Sequence, residues 1–293
     1  MNIIEVNNIT KDYGNKKGVF DVSFNVRVGE VLGFLGPNGA GKTTTIRQLM
    51  GFIKPDRGRV AINGMNCFKE ADKIQINLGY LPGEIAFMDD MTGIEFIKFI
   101  ANMKELKDFS RAEELMKFFE LDPRGKMNKM SKGMKQKIGI VCAFMQNPEI
   151  LILDEPTSGL DPLMQNKFIE LILKEKENGK TILMSSHIFE EIEKTCDRAA
   201  IIKEGRIVTV EDMEKLKSNK RKTIEVQFDS QETASSFVSI MPNGKLNENK
   251  VIVEVKGEMD EFIKKLSRFP VKDLEIKTQS LEEFFMHFYG GEK

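Results

Sequence analysis

The opening stretch IIEVNNITKDYG and its continuation VFDVSFNVRVGEVLGFLG alternate apolar and polar residues in short runs broken by Gly14, Gly18 and Gly29. Period-two alternation of this kind predicts antiparallel strands leading into a buried strand from Val31 to Leu35. A glycine-rich turn follows, and TTTIRQLMG then has helical spacing that stops at Gly51, so the order is strand, loop, helix. KPDRG and ING punctuate the return, with a strand from Arg59 to Ile62 between them. From Thr92 to Met145 the apolar residues recur at helical spacing, first Ile94, Ile97, Phe99 and Ile100, then Leu115, Phe118 and Phe119, which predicts a mainly helical insert. ILILDEP is a short continuous apolar run, and TILMSS repeats it about thirty residues on, as strands covered on both faces do. Two parallel strands joined by a crossover helix are implied.

The pattern lapses at KLKSNKRK, Lys215 to Lys222, after which KTIEVQF and KVIVEVK alternate with period two and DEFIKKLSRF is helical. A last helix is expected with Ser280 as its cap, Glu283 three residues later, and an apolar face of Leu281, Phe284, Phe285 and Phe288 that needs a surface to pack on. The expected division is an α/β domain over 1–215, its helical part at about 85–148, a solvated linker at 216–222, and a small α+β domain over 223–293 that takes no part in the chemistry. A chain of 293 residues has room for both cores.

Charge changes little in this picture. The 44 Lys and Arg nearly balance the 45 Asp and Glu, and the net charge of -1 gives no reason to expect a nucleic-acid partner. The three cysteines, Cys67, Cys142 and Cys196, lie far apart with no paired Cys or His spacing, which speaks against a zinc site or disulfide framework and fits a reducing cytosol. No signal peptide precedes the first strand, and no apolar stretch approaches the roughly 20 residues of a spanning helix, so a membrane role is expected to come from a partner. The 17 methionines read as core filler.

Two segments carry chemistry. GPNGAGKTT places Gly36, Gly41, Lys42 and Thr43 at phosphate-loop spacing between a buried strand and a helix. Its glycines let successive N–H groups face phosphates, Lys42 adds positive charge at the β/γ-phosphates, and Thr43 offers a hydroxyl to Mg²⁺. ILILDEP ends a strand with adjacent carboxylates that point in different directions. Asp154 suits the Mg²⁺ side and Glu155 suits a general base or water-orienting group. Alone, Asp-Glu-Pro after a strand is a common turn or helix start; beside a phosphate loop it points to catalysis.

In order and spacing, GPNGAGKTT, MSKGMKQK, LILDEP, SGLD and the His ending MSSH resemble the ATP-binding cassette (ABC) ATPases over about residues 1–215. The resemblance implies a P-loop fold of the ABC type, with a parallel core sheet, an antiparallel β subdomain and a helical subdomain. It implies an ATPase with ATP and Mg²⁺ as cofactors. The nucleotide would be bound by Gly36, Pro37, Asn38, Gly39, Ala40, Gly41, Lys42, Thr43 and Thr44. Tyr13 falls where the family stacks an aromatic on adenine, the alternative being a surface residue at a strand end. Ser131 and Gly133 fall in the signature that contacts the γ-phosphate held by the opposite subunit, and Asp161 in the loop linking the two sites. His187 matches the switch histidine, the alternative being a satisfied core histidine, and His287 reads as structural. The implied assembly is a head-to-tail homodimer or heterodimer around two ATP, peripheral on the cytoplasmic face of the cell membrane, with a separate integral-membrane permease.

Two departures stand out. Lys132 occupies the place of the first of the two glycines that usually follow the signature serine, with Gly133 kept. In LGYLPGE, Gly83 stands where the family has a Mg²⁺-side glutamine; Glu84 is the nearest side chain able to bind the ion, directly or through water, the alternative being an ordinary surface carboxylate. Among ABC ATPases the resemblance is nearest to single-cassette exporter subunits. Soluble members acting on ribosomes usually carry two cassettes, and those acting on chromosomes insert a long coiled coil between phosphate loop and signature. A phosphate-loop kinase or GTPase would leave MSKGMKQK and MSSH without a purpose.

Overall fold

A computed structural model describes residues 1–218, 221–241, 243–256 and 259–278, and it divides into two compact units, Met1–Glu211 and Asp212–Lys293. The alternating N-terminal runs form β1 (Asn2–Asp12) and β2 (Gly18–Arg27), which pair antiparallel; after β3 (Val31–Leu35) and α1 (Lys42–Leu49), the strand Arg57–Ile62 pairs antiparallel with β1 as well. With β4 (Arg57–Ile62) and β5 (Met65–Asn66) they make a sheet of order β2-β1-β4-β5. Alternation is the signature of one buried face: Ile4, Val6, Ile9, Val22, Phe24 and Val26 all enter the core.

The second sheet begins after α2 (Ala71–Ile76) with β6 (Leu78–Leu81). The helical insert follows as α3 (Gly93–Met103), α4 (Ser110–Phe118) and α5 (Lys132–Phe144). Thr92 and Glu95 form a reciprocal capping box that starts α3. The chain then lays down β7 (Ile150–Asp154), α6 (Pro162–Glu177), β8 (Thr181–Ser186), α7 (Phe189–Thr195), β9 (Arg198–Lys203) and β10 (Arg206–Asp212). The sheet order is β10-β9-β3-β8-β7-β6, with β3, β8, β7 and β6 parallel through their mutual pairings. Every residue of β3, β7 and β8 is buried, which is why these strands read as continuous apolar runs rather than alternating ones. Gly79 on β6 lets α5 approach closely, since a Cβ there would lie 2.3 Å from the Ala143 carbonyl oxygen.

In the second unit, α8 (Met213–Ser218) and the first residues of β11 (Arg221–Phe228) occupy most of the stretch expected as linker. The helix starts because Asp212 Oδ1 accepts the Glu214 and Lys215 N–H groups at 3.0 and 3.1 Å, and its apolar Met213 and Leu216 are buried among the lysines that hid them in the sequence. Further on come α9 (Gln231–Ile240), β12 (Lys245–Asn247), β13 (Lys250–Lys256), α10 (Asp260–Leu266) and β14 (Val271–Thr278), in a sheet of order β12-β13-β11-β14. Ile224, Val226, Phe228, Phe237, Val251, Val253 and Phe262 make its own core. The apolar-faced helix expected from Ser280, with Leu281, Phe284, Phe285, Phe288 and His287, lies outside the described residues. Among the described residues no helix is long and apolar enough to cross a membrane.

Candidate functional site

The phosphate end of the site grows from β3. Gly41, in the left-handed region at φ 110°, is the residue before α1, and Lys42 is its first helical residue. The Lys42 side chain, 5% exposed, folds back so that Nζ donates to the Gly36 and Pro37 carbonyls at 2.6 and 3.2 Å and pairs with Glu155 Oε1 at 2.9 Å. Asn38, Gly39, Gly41, Lys42, Thr43 and Thr44 form one wall of a cleft of about 950 Å³. Asp12, Tyr13, Lys16, Lys17, Phe20 and Arg206 form the other. Tyr13 is exposed, and Lys11 Nζ stands 6.0 Å from its ring centroid, held there by Asp56 at 2.7 Å. A planar base stacks on such a face, and a phosphate chain suits the N–H-rich loop opposite. Gly36 and Ala40 are buried behind that loop and support it.

A second cleft, of about 890 Å³, shares Asn38, Thr43 and Glu155 with the first and adds Asp154, His187, Gly83, Glu84, Arg47, Tyr80, Lys132, Gln136 and Ser158. Of the two carboxylates at the end of β7, Glu155 thus lines both clefts and Asp154 only the second. Glu155 sits at φ 49°, a left-handed conformation that costs a non-glycine residue roughly 1–2 kcal/mol. Its N–H donates to Ser185 Oγ at 3.0 Å, and its carboxylate lies between two groups, Lys42 at Oε1 and His187 Nδ1, 2.6 Å from Oε2. Asp154 is fully buried: Oδ1 accepts the Ser185 hydroxyl at 2.5 Å, while Oδ2 has no hydrogen-bond partner. An orphaned carboxylate oxygen is costly unless a cation or water satisfies it, and with the Thr43 hydroxyl in the same cleft the donor set is the all-oxygen kind that a hard divalent cation takes. A Cβ on Gly83 would lie 3.2 Å from that same Oδ2, so the backbone runs close to the ion side with no side chain of its own to offer. Glu84 is exposed at the mouth of this cleft.

Ser131, Gly133 and Asp161 line neither cleft of their own chain. Ser131 caps α5 by accepting the Met134 N–H at 3.2 Å, and Asp161 caps α6 by accepting that of Met164 at 3.0 Å. Both are exposed. Lys132, in the place of the usual glycine, reaches Ser158 Oγ at 2.9 Å. Two further residues belong to the site that the sequence reading quoted only within longer strings, with no role assigned. Ser185 is the hydroxyl that donates to the Asp154 carboxylate and accepts the Glu155 backbone N–H, and a polar residue inside the run TILMSS was its signal. Gln136, 4% exposed on α5, donates to the Pro156 carbonyl at 2.7 Å and so ties that helix to the loop after β7. Burial, with the Asp154 charge adding and Arg47 opposing, pushes the Tyr80 hydroxyl up to about 12. Burial likewise pushes all three thiols up to about 12, far from reactive thiolates.

Comparison with known proteins places this geometry. A model of the ABC transporter family matches residues 19–158. The bacitracin transport ATP-binding protein BcrA of Bacillus licheniformis is 35% identical over 301 residues, covering 99% of this chain and 98% of its own. The linearmycin resistance ATP-binding protein LnrL of Bacillus subtilis is 38% identical over 213 residues, 71% of this chain and 68% of its own. Among solved structures, an ATP-binding subunit of an ABC transporter superposes with a TM-score of 0.66 at 32% identity, covering 73% of this chain and 92% of its own. A dimeric post-hydrolysis cassette, MJ0796 bound to ADP and Pi, has the same TM-score at 25% identity, covering 72% of this chain and 99% of its own.

Proposed function

Since the chain belongs to the ABC transporter family and is an ATPase of the P-loop fold, we propose that it powers a separate membrane permease by closing head to tail on a second cassette around two ATP molecules. The relatives' named roles in bacitracin transport and linearmycin resistance support outward transport of an antibiotic-like molecule, with this subunit on the inner face of the membrane. The lack of Ser131, Gly133 and Asp161 in the chain's own clefts supports their serving a partner's nucleotide.

The observation that carries the reading is the Glu155 carboxylate, gripped by Lys42 on one oxygen and His187 on the other. Adenine stacks on Tyr13, and the loop from Gly36 to Thr44 cradles the phosphates with Lys42 at their β/γ end. Asp154 Oδ2 and Thr43 would hold Mg²⁺, with Glu84 exposed at the mouth of the same cleft as a further carboxylate that could share it. When bound there, the ion would supply charge neutralisation on the phosphate oxygens. Glu155 orients the attacking water and accepts its proton, and His187 keeps the Glu155 carboxylate turned toward the γ-phosphate. Lys42 releases Glu155 as phosphate arrives, because one ammonium is offered two anionic partners in the same place.

The test is Glu155→Gln. ATP affinity should persist while turnover falls at least about 100-fold, the low end of general-base contributions, and an ATP-dependent dimer should accumulate on size exclusion. Near-normal hydrolysis would refute Glu155 as the base, and a strictly monomeric ATP-bound variant would refute the dimer. Copurification from detergent-solubilised membranes should bring down a hydrophobic permease; recovery of a ribosome instead would overturn the transporter reading.

A further inference from the structure

Ser185 and Ser186 are adjacent at the end of β8, and neighbours on a strand point to opposite faces. Ser185 serves Asp154 and Glu155. The Ser186 hydroxyl turns the other way and donates to Glu191 Oε2 at 2.8 Å. Glu191 lies on α7, is 5% exposed, and takes a second hydroxyl, that of Thr157, on Oε1. Thr157 comes two residues after Glu155, and Ser186 comes one residue before His187. The contact between Glu155 and His187 is therefore backed by a second, buried bridge between the same two loops.

We propose that Glu191 is a positioning residue for hydrolysis, its carboxylate bridging Thr157 and Ser186 so that Glu155 and His187 are held in register with each other. The inference rests on the assignment of Glu155 and His187 to the reaction. Packing and backbone preference alone do not fix this pair. His187 is 47% exposed along its side chain, and Glu155 holds a left-handed backbone that persists only where surroundings over-determine it. Packing alone would favour an apolar side chain at position 191, because burying a carboxylate is costly even when it is hydrogen-bonded. Burial pushes the Glu191 carboxyl above its ordinary value against the pull of both hydroxyls, so the site tolerates an unfavourable group in return for two directed bonds. α7 itself is fastened nearby, with the Thr195 hydroxyl donating to the Glu191 carbonyl at 2.7 Å.

Three variants of the full chain separate a bridge from other roles. Glu191→Gln preserves the shape and can still bond both hydroxyls, one amide oxygen accepting and the amide N–H donating. Glu191→Ala breaks both bonds. Thr157→Val removes one hydroxyl without changing side-chain shape and leaves Glu191 in place. At about one to two hydrogen bonds each, kcat should fall about 10- to 100-fold in Glu191→Ala and about 3- to 10-fold in Thr157→Val, with KM and fluorescent-nucleotide affinity unchanged within about twofold. Glu191→Gln should restore kcat to within about threefold of wild type, and the double variant should be no slower than Glu191→Ala. Wild-type kcat in Thr157→Val and Glu191→Ala, independent losses in the double variant, or a Gln variant as slow as Ala would each overturn the bridge, the last by showing that charge is what matters. Should Glu191→Ala fail to fold by circular dichroism, the isosteric Thr157→Val carries the same comparison. Glu155→Gln run alongside tells two failures apart. If it retains turnover, the catalytic assignment falls and the bridge's purpose with it; if it loses turnover while the bridge variants do not, only the bridge is wrong.

Discussion

Ser185→Ala tests the hub of the site with a single atom. The Ser185 side chain is fully buried and makes two bonds, a donated hydroxyl to Asp154 Oδ1 at 2.5 Å and an accepted N–H from Glu155 at 3.0 Å. The first is assisted by the carboxylate charge and is worth about 1.5–3 kcal/mol, and the second about 1 kcal/mol, so the variant should lose about 3 kcal/mol. In a unit running from Met1 to Glu211, each kcal/mol moves the melting temperature by about 2–4 °C, which predicts a fall of about 6–12 °C in its calorimetric transition. Asp154 Oδ2 already has no protein partner, so removing the serine leaves the whole carboxylate without one. Mg²⁺ with ATP should therefore recover more stability in the variant than in the wild type, since the ion then satisfies a group that nothing else does. A shift below about 2 °C, inside the effect of 1 kcal/mol, would mean that water replaces the hydroxyl freely and that neither the Asp154 carboxylate nor the Glu155 backbone is organised by Ser185.

Three other outcomes are expected. Gly83→Ala puts a Cβ 3.2 Å from Asp154 Oδ2 and should raise the Mg²⁺ needed for half-maximal hydrolysis, as should Glu84→Ala if that carboxylate shares the ion; unchanged Mg²⁺ titrations would make Glu84 an ordinary surface residue. Burial raises the Glu191 carboxyl above its ordinary 4.5, so the stability linked to it is fully present below 4.5 and is lost as pH rises through the raised value. Wild-type minus Glu191→Gln stability, measured by urea unfolding, should decline with pH above 4.5, and a flat difference would contradict the assigned burial. Ending the chain after Glu211 should leave fluorescent-nucleotide binding intact, whereas its loss in a folded truncation would show that the second unit contributes to the site.

Where the signal was local, the chain could be read directly. The phosphate loop, the buried strand before it and the helix after it are contiguous, and β3 runs over the Val31 to Leu35 expected. ILILDEP and TILMSS do pair as parallel strands, with Asp154 opposite Ser185, so the neighbourhood of the carboxylates was implied by a crossover of ordinary length. Partners brought in by a third element were not legible. Gln136 reaches Pro156 from a helix of the insert, and Glu191 reaches Thr157 across 34 residues, both as buried polar residues whose partners are distant in sequence. α8 was hidden because Met213 and Leu216 are too few to stand out among lysines, and α9 and β14 escaped the same way in segments of weak periodicity.

The attachment points of α5 would let it work as a lever. Its buried end is clamped where Ala143 meets Gly79 on β6 and where Phe144 meets the Phe168 ring edge-on at 6.5 Å, while its other end carries the exposed Ser131. Thirteen helical residues span about 20 Å, so a tilt of about 5° at the clamp swings Ser131 by about 1.7 Å, enough to make or lose a hydrogen bond. Gln136 sits eight residues from Phe144, about 12 Å along the same arm, and is dragged about 1 Å. Since Gln136 is hooked to Pro156, that smaller throw is delivered to the peptide next to Glu155. By this geometry a push or pull on the outer end at Ser131 would arrive beside Glu155 of the same chain at about six-tenths of the stroke.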